Sequence, residues 1–530
     1  MTLFVIPSAA RDRVRPNAIA SAKRPRNDLP LLILFPSAME SASRPLPARY
    51  DVAVIGGGVV GCAVLRELSR YDLDLLLLEK EPDLAEGITK GNSGVIHAGF
   101  NVPTGTLKAK SNVDGLYRTY RLARELGVPH RKTGKLVVAL DESDRPRLEE
   151  LKAQGDRNGV PGLEIVDKSA IRALAPNVRG RWALSSPHTG IISPYEFTLA
   201  LAACALANGA RILAGTPLAG VEAGPDGYLL ATPRGSFAAR WVVNCAGLHA
   251  DDVAALAGTS DYKIYAYRGE YLIADREAGA VLDIPVYPVP PRDDSFLGVH
   301  LTPTLHGNVL LGPSTAYVED KDDAATTEAW AERLKAEAFE LVPALRRFPF
   351  IHAYTGLRPK LTDPQGKVKL ADFIVEESRL RPRWVNLIGI ESPGLTAAPS
   401  LAAMVADIIG AREELAPRPD FNGERPAVPY FVDMADAGRA ARVAADPDWG
   451  EMVCRCEHVT RAEVLAALRN PFGAASLDAV KRRTRCGMGR CQGGFCGPRI
   501  IEILQERGVP PERIAKRGPG SELFTGRIKP

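Results

Sequence analysis

No stretch of this sequence approaches the roughly 20 consecutive apolar residues that a helix needs to cross a bilayer. Contact with a membrane is therefore expected only at its periphery, through a partner. A large charge of one sign is also missing. The net charge is +4 over 530 residues and no long basic stripe is present, which removes the electrostatic footprint of a nucleic-acid binder. There is no secretion signal, and the chain is not small, so a disulfide-stapled secreted scaffold is set aside and a cytoplasmic location is the expectation. Hydrophobic residues at 45% and charged residues at 25% are ordinary for a globular protein, and the length calls for two or more domains.

Cysteine is scarce except in one place. Of eight cysteines, Cys62, Cys204 and Cys245 sit in apolar surroundings and read as core packing. The other five, Cys454, Cys456, Cys486, Cys491 and Cys496, crowd into one C-terminal stretch. Thiolates at this density need a soft metal to offset their repulsion, so zinc or iron–sulfur is expected. Residues 1–48 differ from the rest in being arginine-rich, proline-broken and poor in acids. They are expected to be a disordered extension or an over-long gene start with Met39 as the true first residue; a transit peptide is the alternative.

From Tyr50 the organisation becomes regular. Asp51–Ile55 reads as a buried strand, Gly56-Gly-Gly-Val-Val-Gly61 as a turn, Cys62–Ser69 as a helix and Leu73–Leu78 as a second buried strand ending at Glu79. This is the opening of a dinucleotide-binding fold. Gly56 permits the tight turn, Gly58 lets the backbone approach a pyrophosphate, and Gly61 lets helix and strand pack closely, while Glu79 accepts from ribose hydroxyls. Helices are expected over 116–126, 199–207, 328–341 and 396–409, and strands over 136–139 and 241–244. Five prolines between Arg412 and Gly450 point to a linker or surface arm. The expected division is 49–411 for the main unit, 412–450 for the connection, 451–510 for the cysteine domain and 511–530 for a tail.

Only one such fingerprint is present, whereas a two-dinucleotide reductase needs a second. Residues 50–412 resemble the D-amino-acid-oxidase-like flavoproteins, through Asp51–Glu79 and Val242-Val-Asn-Cys-Ala-Gly247. The stretches Gly91-Asn-Ser-Gly-Val-Ile-His-Ala-Gly99, Gly105-Thr-Leu-Lys-Ala109, Gly134-Lys-Leu-Val137, Arg268-Gly-Glu-Tyr271, Tyr287-Pro-Val-Pro290 and Phe296-Leu-Gly-Val-His-Leu-Thr302 resemble the L-2-hydroxyglutarate oxidase/dehydrogenase group. Gly356-Leu-Arg-Pro359 and Gly394-Leu-Thr396 are shared more widely, glycerol-3-phosphate dehydrogenases included. The resemblance implies an α/β fold: a Rossmann-like FAD-binding domain interleaved with a β-rich substrate domain. It also implies FAD held by Gly56, Gly58, Gly61, Glu79, Gly247 and Gly394.

An alcohol giving hydride to a flavin needs a base for its hydroxyl proton and a cation for its acidic group. His97 is the first candidate base and His300 the second; Arg358 is the candidate grip, through its bidentate fork, with Lys108 and Arg268 as alternatives. Asn101 stands where glycerol-3-phosphate dehydrogenases carry an arginine and the hydroxyglutarate group an aromatic residue. The cysteine stretch, with the capping box Thr460-Arg-Ala-Glu463 after its first pair and Ser476 as a second cap, resembles bacterioferritin-associated-ferredoxin-like domains. That implies a [2Fe-2S] cluster on Cys454, Cys456, Cys491 and Cys496, with Cys486 the spare thiol. The expected protein is a dehydrogenase for a small anionic 2-hydroxy acid, delivering electrons to a redox partner protein or quinone-linked acceptor. Glycerol 3-phosphate is the rival substrate, and a redox-sensing or assembly subunit the rival of another class.

Overall fold

The computed structural model describes residues 49–259, 262–290, 298–362, 365, 372–425, 430–469, 471–472 and 476–526. The arginine-rich N-terminus, Phe296 at the head of its motif and two of the prolines of the connection lie outside them.

The first sheet forms around Tyr50–Ile55, whose parallel neighbours are Leu75–Leu78 on one side and Gly235–Asn244 on the other. Both faces are covered, so the inner strands are continuous apolar runs rather than alternating ones; all four leucines of 75–78 are buried. The helix Val59–Leu68 packs on this sheet and against Pro194–Ala207 and Gly394–Gly410. A second sheet, of nine strands, is built from intervening segments. Its backbone is the long antiparallel pair Tyr265–Ala274 and Phe350–Lys360, in which Tyr267 faces Arg358 and Gly269 faces Gly356. The chain passes repeatedly between the two sheets. The result is α/β, with a Rossmann-like layer interleaved with a β-rich one and a small, mainly helical C-terminal domain.

Local departures from the sequence reading have physical causes. The helix expected over 116–126 starts at Leu107, because Thr106 caps it by accepting from the Ala109 N–H. Its first turns bury Ser111, Asn112 and Gly115 rather than large apolar residues, so hydrophobic periodicity could not announce them. Gly115 is required there: a Cβ would stand 2.2 Å from the Thr396 carbonyl oxygen on the crossing helix. The helix expected over 199–207 begins at Pro194, capped by Ser193, with proline in the first-turn position it tolerates.

The segment after Gly410 is hydrogen-bonded along the first layer. The Arg418 N–H donates to the Arg70 carbonyl at 2.8 Å and its guanidinium to the Ser69 and Leu73 carbonyls. Asn422 and Asn208 exchange bonds of 2.9 and 2.8 Å. Further on, the cysteine domain comprises a hairpin, the helices Arg461–Leu468, Leu477–Thr484 and Cys496–Glu506, and its own apolar core. The capping box at Thr460 and Glu463 and the Ser476 cap are both formed.

This domain docks through arginines. Arg483 meets Asp83 with two bonds of 2.5 and 2.8 Å and donates to the Tyr195 hydroxyl, all three groups buried. Arg482 pairs with Glu86, and Arg490 with Asp275 and Glu277. Removing one partner of a buried pair strands the other charge. Arg483→Ala should therefore weaken docking by about 3–5 kcal/mol, read as release of the C-terminal domain by limited proteolysis. Asp83→Asn in the same chain should restore part of the protection.

Among the described residues, no helix is long and apolar enough to cross a membrane.

Candidate active site and cysteine cluster

A cleft of about 940 Å³ runs from the glycine turn of the first layer to the second sheet, near the upper end of the roughly 300–1,000 Å³ usual for ligand sites. At the first end the glycines differ in what they permit. Gly56 has φ +106° and a Cβ there would lie 2.5 Å from the Cys245 carbonyl oxygen. At Gly61 a Cβ would lie 1.9 Å from the Gly56 oxygen, so this residue serves helix–strand contact and does not line the cleft. Gly58 is different: the only nearby atom is Thr89 Oγ1 at 3.2 Å, and the residue lines the cleft. The helix that follows has no acid in its first turn, which leaves its positive dipole end for phosphate.

Glu79 sits at the end of Leu75–Leu78, where its carboxylate accepts from the Gly57 N–H at 2.5 Å and the Glu81 N–H at 2.7 Å. Burial pushes its pKa up and these two donors oppose the shift. Gly247 (φ +59°) and Gly394, at the start of Gly394–Gly410, line the same cleft. A turn open to the cleft, a helix N-terminus and a carboxylate lining the same cleft fit FAD.

At the other end the cleft is lined by His97, Lys135, Tyr287, His300 and Arg358. His97 is pinned through its backbone: its N–H donates to Thr396 Oγ1 at 2.9 Å and its carbonyl accepts from Asn112 at 2.8 Å. Burial, and next the charge of Lys135, lower its imidazole to about 3, so the ring is neutral near pH 7 and has a lone pair for a proton. His300 stacks on Tyr287 with ring centroids 3.4 Å apart and planes 5° from parallel. Arg358 is held by the Ser314 carbonyl at 2.5 Å and Thr315 Oγ1 at 3.3 Å.

The two motifs that bring the histidine and the arginine together meet at a glycine pair. A Cβ on Gly356 would lie 1.8 Å from the Gly91 oxygen. The alternative anion grips are occupied otherwise. Lys108 is paired with Glu391 at 2.9 Å, and Arg268 with Asp323 at 2.7 Å. Asn101 is exposed at the cleft. Lys135 is a cleft residue to which sequence reasoning gave no role, although it lies in the Gly134-Lys-Leu-Val137 stretch.

The five C-terminal cysteines fall into two groups, a buried three and a less buried pair, and the four expected ligands are divided between them. The Cys454, Cys486 and Cys496 sulfurs lie within 4.8 Å of one another and are buried. Cys456 and Cys491, less buried, have sulfurs 3.6 Å apart. Cys486 thus stands beside two of the four expected ligands, within the domain's apolar core. A tight turn makes the approach: a Cβ on Gly489 would be 2.4 Å from the Cys456 Cβ. The Cys454 thiol pKa is lowered by Cys486 and Cys496 and, after them, by the main-chain N–H groups of Glu457 and Gly487; that of Cys491 is lowered first by the N–H of Phe495 and further by Cys456 and the N–H of Gly493. Such donors stabilise thiolates and tune clusters, so these residues fit an iron–sulfur centre.

Comparison with known proteins shows two families along the chain. The FAD dependent oxidoreductase family model matches residues 51–408, and that of the BFD-like [2Fe-2S] binding domain matches 452–506. A glycerol 3-phosphate dehydrogenase of Caloramator mitchellensis is 38% identical over 484 residues, covering 91% of this chain and 99% of its own. The mitochondrial L-2-hydroxyglutarate dehydrogenase of Caenorhabditis elegans is 32% identical over 400 residues, 67% of this chain and 92% of its own. Among solved structures, the FAD-bound L-alpha-glycerophosphate oxidase of Mycoplasma pneumoniae aligns with a TM-score of 0.66 at 30% identity, over 72% of this chain and 99% of that one. The chain belongs to the FAD dependent oxidoreductase family: it is an FAD-dependent dehydrogenase with a C-terminal [2Fe-2S] domain.

Proposed function

We propose that the chain oxidises the secondary alcohol of glycerol 3-phosphate to the ketone and passes the electrons through its [2Fe-2S] domain to a redox partner protein or quinone-linked acceptor. The observation that carries this reading is the shared architecture. The glycerol 3-phosphate dehydrogenase relative matches across both domains and nearly its whole length, whereas the hydroxyglutarate relative covers 67% of this chain. L-2-Hydroxyglutarate, the substrate first expected from the motifs, stays as the second reading because Asn101 stands where an arginine would help to hold a phosphate.

Bound FAD would supply a two-electron hydride acceptor, and a bound [2Fe-2S] cluster a one-electron carrier. The chain's own residues do the rest. Neutral His97 takes the hydroxyl proton, with His300 the second candidate, its ring fixed by Tyr287. Arg358, already oriented by Ser314 and Thr315, grips the acidic group. On the metal side Cys454, Cys456, Cys491 and Cys496 hold the cluster, and Cys486 fills a buried position in the core.

Arg358→Ala should lower kcat/KM by an amount worth about 2–4 kcal/mol, and Arg358→Lys should recover only part, because a point charge cannot reproduce the fork. Unchanged kinetics would remove Arg358 from the substrate site. The function itself is tested by mixing the anaerobic protein with glycerol 3-phosphate, L-2-hydroxyglutarate and other 2-hydroxy acids in turn. Rapid loss of flavin absorbance with glycerol 3-phosphate alone supports the first reading, with hydroxyglutarate alone the second. No bleaching by any of them favours a sensing or assembly role.

A further inference from the structure

Lys135 is an anomaly in the cleft. It is 3% exposed, and its ammonium lies over the rings of Phe100 at 4.4 Å and Tyr287 at 4.3 Å. Its backbone is fixed by exchanging bonds with Ser186 of 3.0 and 2.9 Å, just after the turn at Gly134. Among the described residues no carboxylate pairs with it. The contrast with its neighbours is informative: Lys108 and Arg268 each have an acid in contact. Arg358, like Lys135, has none among the described residues and is held by the neutral oxygens of Ser314 and Thr315.

We propose that Lys135 is a substrate-binding cation, which together with Arg358 makes the site selective for dianions. An ammonium removed from water without a counter-ion is costly, and the two ring faces recover only a part of that cost. Burial alone lowers the Lys135 ammonium to about 7, the direction expected of a charge that lacks its partner. A bound anion supplies the partner. A monoanion satisfies one of the two cations and leaves the other buried and unpaired, whereas a phosphate dianion or a dicarboxylate satisfies both. A buried charge left unpaired discriminates against the partner that leaves it so.

The ammonium also weakens the basicity of His97 in the empty site. A substrate anion seated on Lys135 offsets that charge, so the imidazole becomes a better proton acceptor only when substrate is present. Lys135 thus acts on chemistry by position and charge, and no bond to it forms or breaks.

The inference rests on the reading of this cleft as the substrate site, and the test separates the two. Purified holoenzyme with Lys135→Met, of similar length and uncharged, is compared with wild type for binding of glutarate and inorganic phosphate, which cannot be oxidised. Binding is read from the flavin absorbance perturbation and from the thermal shift. The same protein is then assayed with glycerol 3-phosphate, L-2-hydroxyglutarate and the monoanion lactate. We expect Lys135→Met to keep its FAD and thermal stability, to bind the dianion probes roughly 10- to 100-fold more weakly, and to lose its preference for dianions over lactate. Lys135→Arg should retain part of the affinity. Unchanged dianion binding overturns the inference, as does loss of FAD or a fall in the melting temperature of Lys135→Met, since either would make Lys135 a cofactor or structural residue. Weakened probe binding together with no oxidation of any tested alcohol by wild type would sink the functional reading while leaving the dianion site standing.

Discussion

Gly58→Leu should empty the flavin site while the chain stays folded. Gly58 has φ −77°, a conformation any residue adopts, and a Cβ there meets only the Thr89 hydroxyl at 3.2 Å. The space beside it belongs to the cleft and not to another part of the protein. A leucine side chain would occupy the approach path of the pyrophosphate and cover N–H groups at the start of Val59–Leu68. The purified variant should therefore carry less than about one-tenth of the wild-type FAD, with unchanged circular dichroism. Its melting temperature should fall only by what bound cofactor contributes through mass action. The same substitution at Gly56 or Gly61 would be uninformative. A Cβ at either collides with backbone, so flavin would be lost through misfolding. Full flavin in a folded Gly58→Leu protein would mean that the pyrophosphate does not lie on this turn.

The second large effect concerns the cysteines. Alanine at Cys454, Cys456, Cys491 or Cys496 should abolish the cluster, with iron and acid-labile sulfide falling to near zero. Alanine at Cys486 should leave both in place. The grouping of the sulfurs, three buried together and two half-buried, makes this a sharp comparison, because Cys486 is as well positioned as its neighbours. What distinguishes Cys491 is its setting: the main-chain N–H of Phe495, and after it that of Gly493, lowers its thiol pKa, whereas the neighbouring thiols and burial raise that of Cys486. The metal should also stabilise a domain of roughly 60 residues that is marginal by size alone. Cluster-free variants should thus lose their C-terminal domain to protease first. Flavin reduction by substrate should persist, while transfer to a one-electron acceptor fails. Loss of iron in Cys486→Ala with retention in Cys491→Ala would invert the ligand assignment, and zinc in place of iron would end the electron-transfer role.

Much of the fold was legible because its signals are local. The run Asp51–Ile55, the glycine turn and the strand ending at Glu79 announce themselves by period and spacing, and the capping box at Thr460 marks a helix start to the residue. Helix beginnings were less visible where they face the cleft. Lys108 and Asn112, in the first turns of Leu107–Glu125, replace the apolar residues on which periodicity depends. The site was half legible. Histidine and arginine motifs could be matched by resemblance, and the structure brings His97, His300 and Arg358 to one cleft. That Lys108 is neutralised could not be read, since Glu391 is far away in sequence; Arg268 has one acid in its own motif, Glu270, and a second, Asp323, that is distant. Lys135 was missed for the converse reason: what marks it is that no carboxylate among the described residues pairs with it, which only the folded chain reveals.

The most direct test of the account is one anaerobic stopped-flow experiment, with glycerol 3-phosphate mixed against the holoenzyme while flavin and cluster absorbance are followed together. The account predicts rapid flavin bleaching followed by slower reduction of the cluster, with the second phase absent in Cys491→Ala and the first unchanged. Cluster reduction without prior flavin bleaching, or a flavin that glycerol 3-phosphate leaves oxidised, would contradict it.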